Sequence, residues 1–178
     1  MPLGFFVLLG MIYQQQMEDA DILREQAQIL WDRAYRSQMN GELSEAILLY
    51  KRSIDVFPTA EAFTFMGWTY SMIKQYDHAI ELCKKAIQID PAYGNPYNDI
   101  GVYLIELDRW QEAISWFEEA TAAPRYAAPQ FPYMNLGRVY EHLGDTQRAL
   151  VYYEQALQIA PLYLPAVWAK NALLGKLN

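Results

Sequence analysis

The 178-residue chain has one cysteine and two histidines. Cys83 has no partner for an internal disulfide, and no Cys-x-x-Cys pair is present to hold zinc or cycle between redox states. A metal site needs three or four converging ligands, and nothing in the spacing around His78 and His142 suggests one. Basic residues are scarce: 14 Lys and Arg stand against 21 Asp and Glu, a formal charge of -7. Contact with phosphate backbones calls for clustered cations, so no nucleic-acid partner is expected. No Gly-x-Ser-x-Gly, P-loop or Gly-x-Gly-x-x-Gly occurs, so the expectation is a protein with no catalytic residues and no cofactor. Long apolar runs are missing as well. The most apolar stretch, Pro2 to Tyr13, is about half of the roughly 20 residues that span a bilayer.

That stretch opens a segment, residues 1–17, without a single charged side chain. It lacks the basic start and small-residue cleavage site of a secretory signal. Three readings stay open: an interfacial anchor or the end of a membrane helix, a hydrophobic flap over the first helix, or read-through upstream of a start at Met17. A cytoplasmic location is expected, with membrane association as the alternative should residues 1–17 be an anchor.

What the chain does have is aromatic surface, 14 Tyr, 7 Phe and 5 Trp, and a repeat that organises it. One column set recurs as Ala46, Tyr50, Ser53, Pro58; Ala79, Cys83, Ala86, Pro91; Ala113, Phe117, Ala120, Pro124; and Ala149, Tyr153, Ala156, Pro161. The anchoring alanines lie 33, 34 and 36 residues apart. Upstream of them stand Ala34, Gly67, Gly101 and Gly137, and between the two halves lie turn-like stretches at 39–42, 73–75, 107–109 and 143–145. Each unit therefore reads as helix A, tight turn, helix B and a proline that stops helix B. Small residues three to four places apart let the two helices approach closely, and the aromatics fill the gaps between units. One pair cannot bury its apolar face alone, so stacked neighbours supply the core. Cys83, in a column of rings, reads as a small buried hydrophobe and not a nucleophile.

Two departures from regularity stand out. Lys74 and Asp108 occupy turn positions that hold Gly41 and Gly144 in other units, so a positive φ there carries a strain that glycine escapes. The third unit is too long, through residues 122–129, whose two prolines rule out a continuous helix. The expectation is a loop insertion without a role of its own. The alternative is a groove wall carrying Arg125 and Tyr126.

In these columns the chain resembles the tetratricopeptide repeat family. The resemblance implies an all-α, right-handed solenoid of stacked antiparallel helix pairs. Its four units would span 27–59, 60–93, 94–129 and 130–163 within an array of residues 18–163, with a first helix extended back to near Asp19. Residues 164–178 would form a C-terminal capping helix. It also implies that the A helices line a concave groove. The residues carried onto that face as partner-binding candidates are Trp31, Tyr35, Trp68, Met72, Asn95, Asn98, Phe131, Met134, Arg138 and Trp168, with Gln28, Gln38, Met39, Glu61, Thr64, Ser71, Val102, Ile105, Glu106, Glu141 and His142 beside them. Trp31 covered by residues 1–17, and Trp168 by the last unit, is the alternative for those two. Trp110 and Trp116 are expected to pack between units.

Tryptophans that bury apolar side chains, next to amides that bond a backbone, suit a peptide or partner protein. Members that clamp a chaperone's terminal carboxylate use Lys, Asn and Arg along the groove. Trp31 and Tyr35 fill the first-unit clamp positions and Asn98 the third, so that mode is not expected. The leading expectation is a non-enzymatic adaptor or scaffold. The alternatives are a membrane-tethered assembly factor or co-chaperone-like subunit anchored through residues 1–17, a non-catalytic subunit of an enzyme, and a homo-oligomer joined through apolar ends.

Overall fold

The computed structural model of the chain describes the backbone of residues 3–176, and the side chains of residue 11 and of residues 13–176. Among the described residues there are nine helices: α1 (Leu3–Met39), α2 (Leu43–Val56), α3 (Ala60–Met72), α4 (Tyr76–Ile89), α5 (Asn95–Glu106), α6 (Trp110–Ala122), α7 (Gln130–His142), α8 (Thr146–Ile159) and α9 (Leu164–Gly175). Each packs on its neighbours in sequence, and α1, α3, α5 and α7 also touch in series. The fold class expected from the repeat is therefore borne out as a stack of helix pairs whose odd-numbered members share one face.

The close approach inside each pair comes from the small residue of helix A. A Cβ placed on Gly101 would stand 2.5 Å from the Phe117 ring, and one on Gly137 would stand 2.4 Å from the Tyr153 ring. Gly67 faces the Ala79 carbonyl at 3.1 Å and Cys83 Sγ at 3.3 Å, a looser fit where the ring column holds a thiol. Phe117, Tyr153, Tyr50 and Cys83 are all fully buried. Burial pushes the Cys83 thiol up, which keeps it protonated and unreactive. Two of the tyrosines carry their hydroxyls to the neighbouring A helix: Tyr50 donates to Gln38 Oε1 and Tyr153 to Glu141 Oε2, each at 2.8 Å.

The turns between α1 and α2, α3 and α4, α5 and α6, and α7 and α8 share one hydrogen-bond scheme. Gly41, Lys74, Asp108 and Gly144 all have positive φ, at 81, 60, 59 and 79°. Each donates its N–H to the carbonyl three residues back: Gln38, Ser71, Ile105 and Glu141. The next residue donates to the carbonyl five back, at Ser37, Tyr70, Leu104 and Tyr140. This pair of bonds is the Schellman cap, which satisfies carbonyls that a helix end otherwise leaves open. The positive φ expected at Lys74 and Asp108 is thus present.

Two expectations need correction. The first helix begins at Leu3 and not near Asp19. Among the described side chains of α1, Arg24 lies over the Phe57 ring, and the Ala27 carbonyl accepts from Ser53 Oγ at 2.7 Å. Upstream of these the helix runs on for about 30 Å, with Met11, Tyr13 and Met17 exposed. Residues 1 and 2, and the side chains of 3–10 and 12, fall outside the described set, so the anchor, flap and read-through readings rest on residues largely outside it. No helix among the described residues is long and apolar enough to cross a membrane.

The second correction concerns residues 122–129, which form a fastened strap. Arg125 N–H donates to the Ala92 carbonyl, and Gly94 N–H donates to the Arg125 carbonyl, both at 3.0 Å. The Arg125 guanidinium lies 4.1 Å from the Tyr93 ring centroid and reaches Asp90 at 2.6 Å and Glu61 at 2.8 Å. Tyr126 packs on Gly94, where a Cβ would come within 2.8 Å of it. The strap thus ties the α6–α7 connection back onto the α4–α5 connection, which the backbone amide and a planar cation achieve and a free loop could not.

Candidate functional site

The face shared by α1, α3, α5 and α7 carries an aromatic ladder at one end. Trp31 and Tyr35 stack with centroids 5.5 Å apart, Phe65 meets both edge-on at 4.9 and 5.6 Å, and Trp68 lies 5.8 Å from Phe65. Spacings of three and four residues put these rings on one face of each helix. Trp31 and Tyr35 are half-buried by this packing, so Trp31 is covered by Phe65, Tyr35 and the nearby Tyr50, all of them residues of the array. Trp68 stays 38% exposed.

Next to Trp68 is a pocket of about 190 Å³, lined by Thr64, Phe65 and Trp68 of α3 and by Asn95 and Asp99 of α5. Burial pushes the Asp99 carboxyl up to about 7, partly offset by a side-chain hydrogen bond from Asn98. Deeper along the same face, Asn135 Nδ2 donates to Asn98 Oδ1 at 3.0 Å, and Arg138 Nη1 donates to Asn135 Oδ1 at 3.3 Å. A chain of oriented amides therefore runs between Arg138 and Asp99. A wider depression of about 710 Å³ lies at the α7–α8 turn, away from this face and lined largely by turn residues such as Gly144 and Asp145.

The expected groove residues divide by environment. Trp68 and Asn95 meet at the pocket. Phe131, at the start of α7, is 39% exposed and edges onto Tyr163 at 5.7 Å. Trp168 of α9 is 66% exposed. Asn98 is buried and occupied by Asn135, and Met134 is half-buried against the central core. Met72 is exposed, with its sulfur 3.7 Å from Gln38 Nε2. Gln38 and Glu141 serve tyrosine hydroxyls of their own units. His142 stacks on Trp110 at 3.8 Å, beside a turn. Phe65, Asp99 and Asn135 were missed. Each follows directly after an expected groove residue (Thr64, Asn98, Met134), and the signal lay in the pairs Phe65–Trp68 and Asn95–Asp99, three and four residues apart. Among the described residues no cluster of His, Cys, Asp and Glu is placed to hold a metal.

Stacked helix pairs, a common face of A helices and one repeated capped turn define a helical-repeat protein. Models of the tetratricopeptide repeat match residues 60–93 and 132–163, and 97–123, together just over half of the chain. The chain belongs to the tetratricopeptide repeat family. It is 26% identical over 138 residues to the anaphase-promoting complex subunit 6 of Arabidopsis thaliana, covering 75% of this chain and 25% of that protein. It spans a quarter or less of the length of the curated relatives it matches. Among solved structures, MamA superposes with a TM-score of 0.69 at 27% identity, covering 84% of this chain and 81% of that one. Pseudomonas aeruginosa PilF gives a TM-score of 0.80 at 21% identity over 88% of this chain and 70% of that one, a likeness of fold.

Proposed function

We propose that this chain is a non-enzymatic scaffold that binds a segment of a partner protein along the face of α1, α3, α5 and α7. The observation that carries the reading is Trp68. It is a large ring left open at the rim of a pocket that its own repeat array has built from Phe65, Asn95 and Asp99. Exposed rings at the edge of a concave surface serve as anchors because they bury much area for little lost conformational freedom. Phe131 of α7 and Trp168 of α9, both exposed, extend the same anchoring beyond the pocket. Family membership supports the reading, as does the relative named for its place in a multiprotein assembly. The buried thiol of Cys83 supports a binding role over nucleophilic catalysis.

The test is selection of peptides from a random displayed library on the full chain, followed by affinity measurement with the synthetic peptides obtained. Trp68→Ala is expected to weaken binding at least about tenfold while leaving the melting temperature close to that of the parent. Asn98→Ala is unsuited to the test, because it breaks the buried pair with Asn135. Unchanged affinity in Trp68→Ala and Trp168→Ala together would refute the groove reading.

A further inference from the structure

We propose that the pocket between α3 and α5 is a subsite for one cationic side chain, lysine or arginine, of the bound segment, with Asp99 as its counter-charge and the Phe65 and Trp68 rings against its aliphatic stem. This inference rests on the groove reading above and specifies what one position of the bound segment must be.

Four observations support it. First, the pocket is the right kind of cavity: about 190 Å³, lined by two rings, two short polar side chains and a carboxylate. Second, Asp99 has no ion-pair partner among the described residues. Arg125 is taken up by Asp90 and Glu61 at 2.6 and 2.8 Å, and Arg138 is linked to Asp99 only through the neutral amides of Asn135 and Asn98. Third, the groups around Asp99 offer it no positive charge. Those that couple to it electrostatically are Cys83 of α4, Tyr93, Tyr103 of α5 and Tyr126 of the strap, all neutral near pH 7 and all with their titration raised further by burial. A carboxylate so placed is short of counter-charge, which burial makes costly and an incoming cation relieves. Fourth, the other lining groups suit a long basic side chain. Phe65 and Trp68 meet edge-on at 67°, and Asn95 adds an amide to the lining. Rings beside a cation add to its attraction, and the stem buries its methylenes on them. The chain's formal charge of -7 draws basic segments toward it during encounter.

The experiment uses the peptides selected on the full chain, with each Lys or Arg replaced in turn by norleucine, on the parent and on Asp99→Asn. If the inference holds, one basic position is fixed across the selected peptides. Its norleucine form then binds the parent at least about tenfold more weakly, while Asp99→Asn binds the lysine and norleucine forms alike. Peptides selected without any fixed basic position overturn the inference and leave the groove reading standing. So does an equal loss from norleucine on the parent and on Asp99→Asn. The loss on the parent is read without any protein variant, and the Asp99→Asn arm is read on protein whose cooperative thermal melt shows that it is folded. Selected peptides whose affinity is unchanged by both Trp68→Ala and Trp168→Ala remove the groove reading, and the subsite with it.

Discussion

Lys74→Gly is expected to stabilise the protein, and the four repeated turns allow the size to be worked out in advance. Lys74 sits at φ 60° with its N–H on the Ser71 carbonyl, and Gln75 N–H closes the outer bond to Tyr70. Gly41 and Gly144 make the same two bonds at φ 81 and 79°, with nothing within 4 Å of where a Cβ would stand. Space is therefore not at issue, and what differs is backbone strain alone. A residue with a Cβ gives up about 1–2 kcal/mol in the left-handed region. Glycine loses roughly 0.5–1 kcal/mol more entropy on folding. The lysine side chain is exposed and makes no ion pair among the described residues, so little else is lost. The balance is a gain of about 0.5–1 kcal/mol. In urea this is a midpoint shift of about 0.2–0.5 M with unchanged slope, and in thermal melting a rise of roughly 2 °C. Asp108→Gly provides the control. Asp tolerates this conformation better than Lys, and its carboxylate accepts from Trp110 Nε1 at 2.8 Å, a bond worth about 1 kcal/mol, so no net gain is expected. A Lys74→Gly protein with a lower midpoint, or a gain in Asp108→Gly as large as that at Lys74, would refute the strain account.

Gly137→Ala is expected to lose about 3 kcal/mol, because the new methyl would meet a Tyr153 ring that is fully buried and fixed at its hydroxyl by Glu141. Gly67→Ala should be near neutral, its closest contacts being 3.1 and 3.3 Å and the helix gaining about 1 kcal/mol from alanine; denaturant midpoints of the pair test the ranking. Arg125→Lys keeps the charge but loses the fork on Asp90 and the stack on Tyr93, so about 1 kcal/mol should go, less in high salt, with faster amide exchange at Gly94 and Arg125. The Asp99 carboxyl is raised from 3.8 to about 7 on folding, so its contribution is most favourable below pH 4 and declines as pH rises toward 7. Asp99→Asn should therefore gain on the parent between pH 4 and 8, by roughly 1–3 kcal/mol after allowing for solvent at the pocket mouth, and a pH-independent difference in unfolding free energy would contradict the raised value.

What was legible in the sequence was the part of the molecule that packing dictates. Gly101 with Phe117 and Gly137 with Tyr153 stand at fixed spacing because a ring and a missing Cβ must meet, and the other two units keep a small residue, Ala34 or Gly67, in the same column. The strain at Lys74 and Asp108 was readable for the same reason, since the turn repeats and only its residue changes. Two kinds of fact were not readable. The strap depends on Arg125 finding Glu61, which is 64 residues away in the chain, and no local pattern announces a partner at that distance. The start of α1 at Leu3 was missed because helix ends are read from caps and periodic polarity, and the uncharged run of residues 1–17 offers neither.

The groove sits between these cases. Its columns were predictable, yet what each side chain does there depends on its neighbours. Asn98 and Asn95 lie on the same face of α5, but Asn98 is paired with Asn135 and buried, while Asn95 is left at the pocket. Gln38 and Glu141 occupy equivalent places and both bond a tyrosine of their own unit. A position on the concave face is thus open to a partner only where the array has not already claimed its side chain. By that criterion Trp68, Phe131 and Trp168 remain open, and Asp99, bonded by the Asn98 amide but by no cation among the described residues, is open to a charge, which is why the tests of binding fall on Trp68, Trp168 and Asp99 and not on the buried amides.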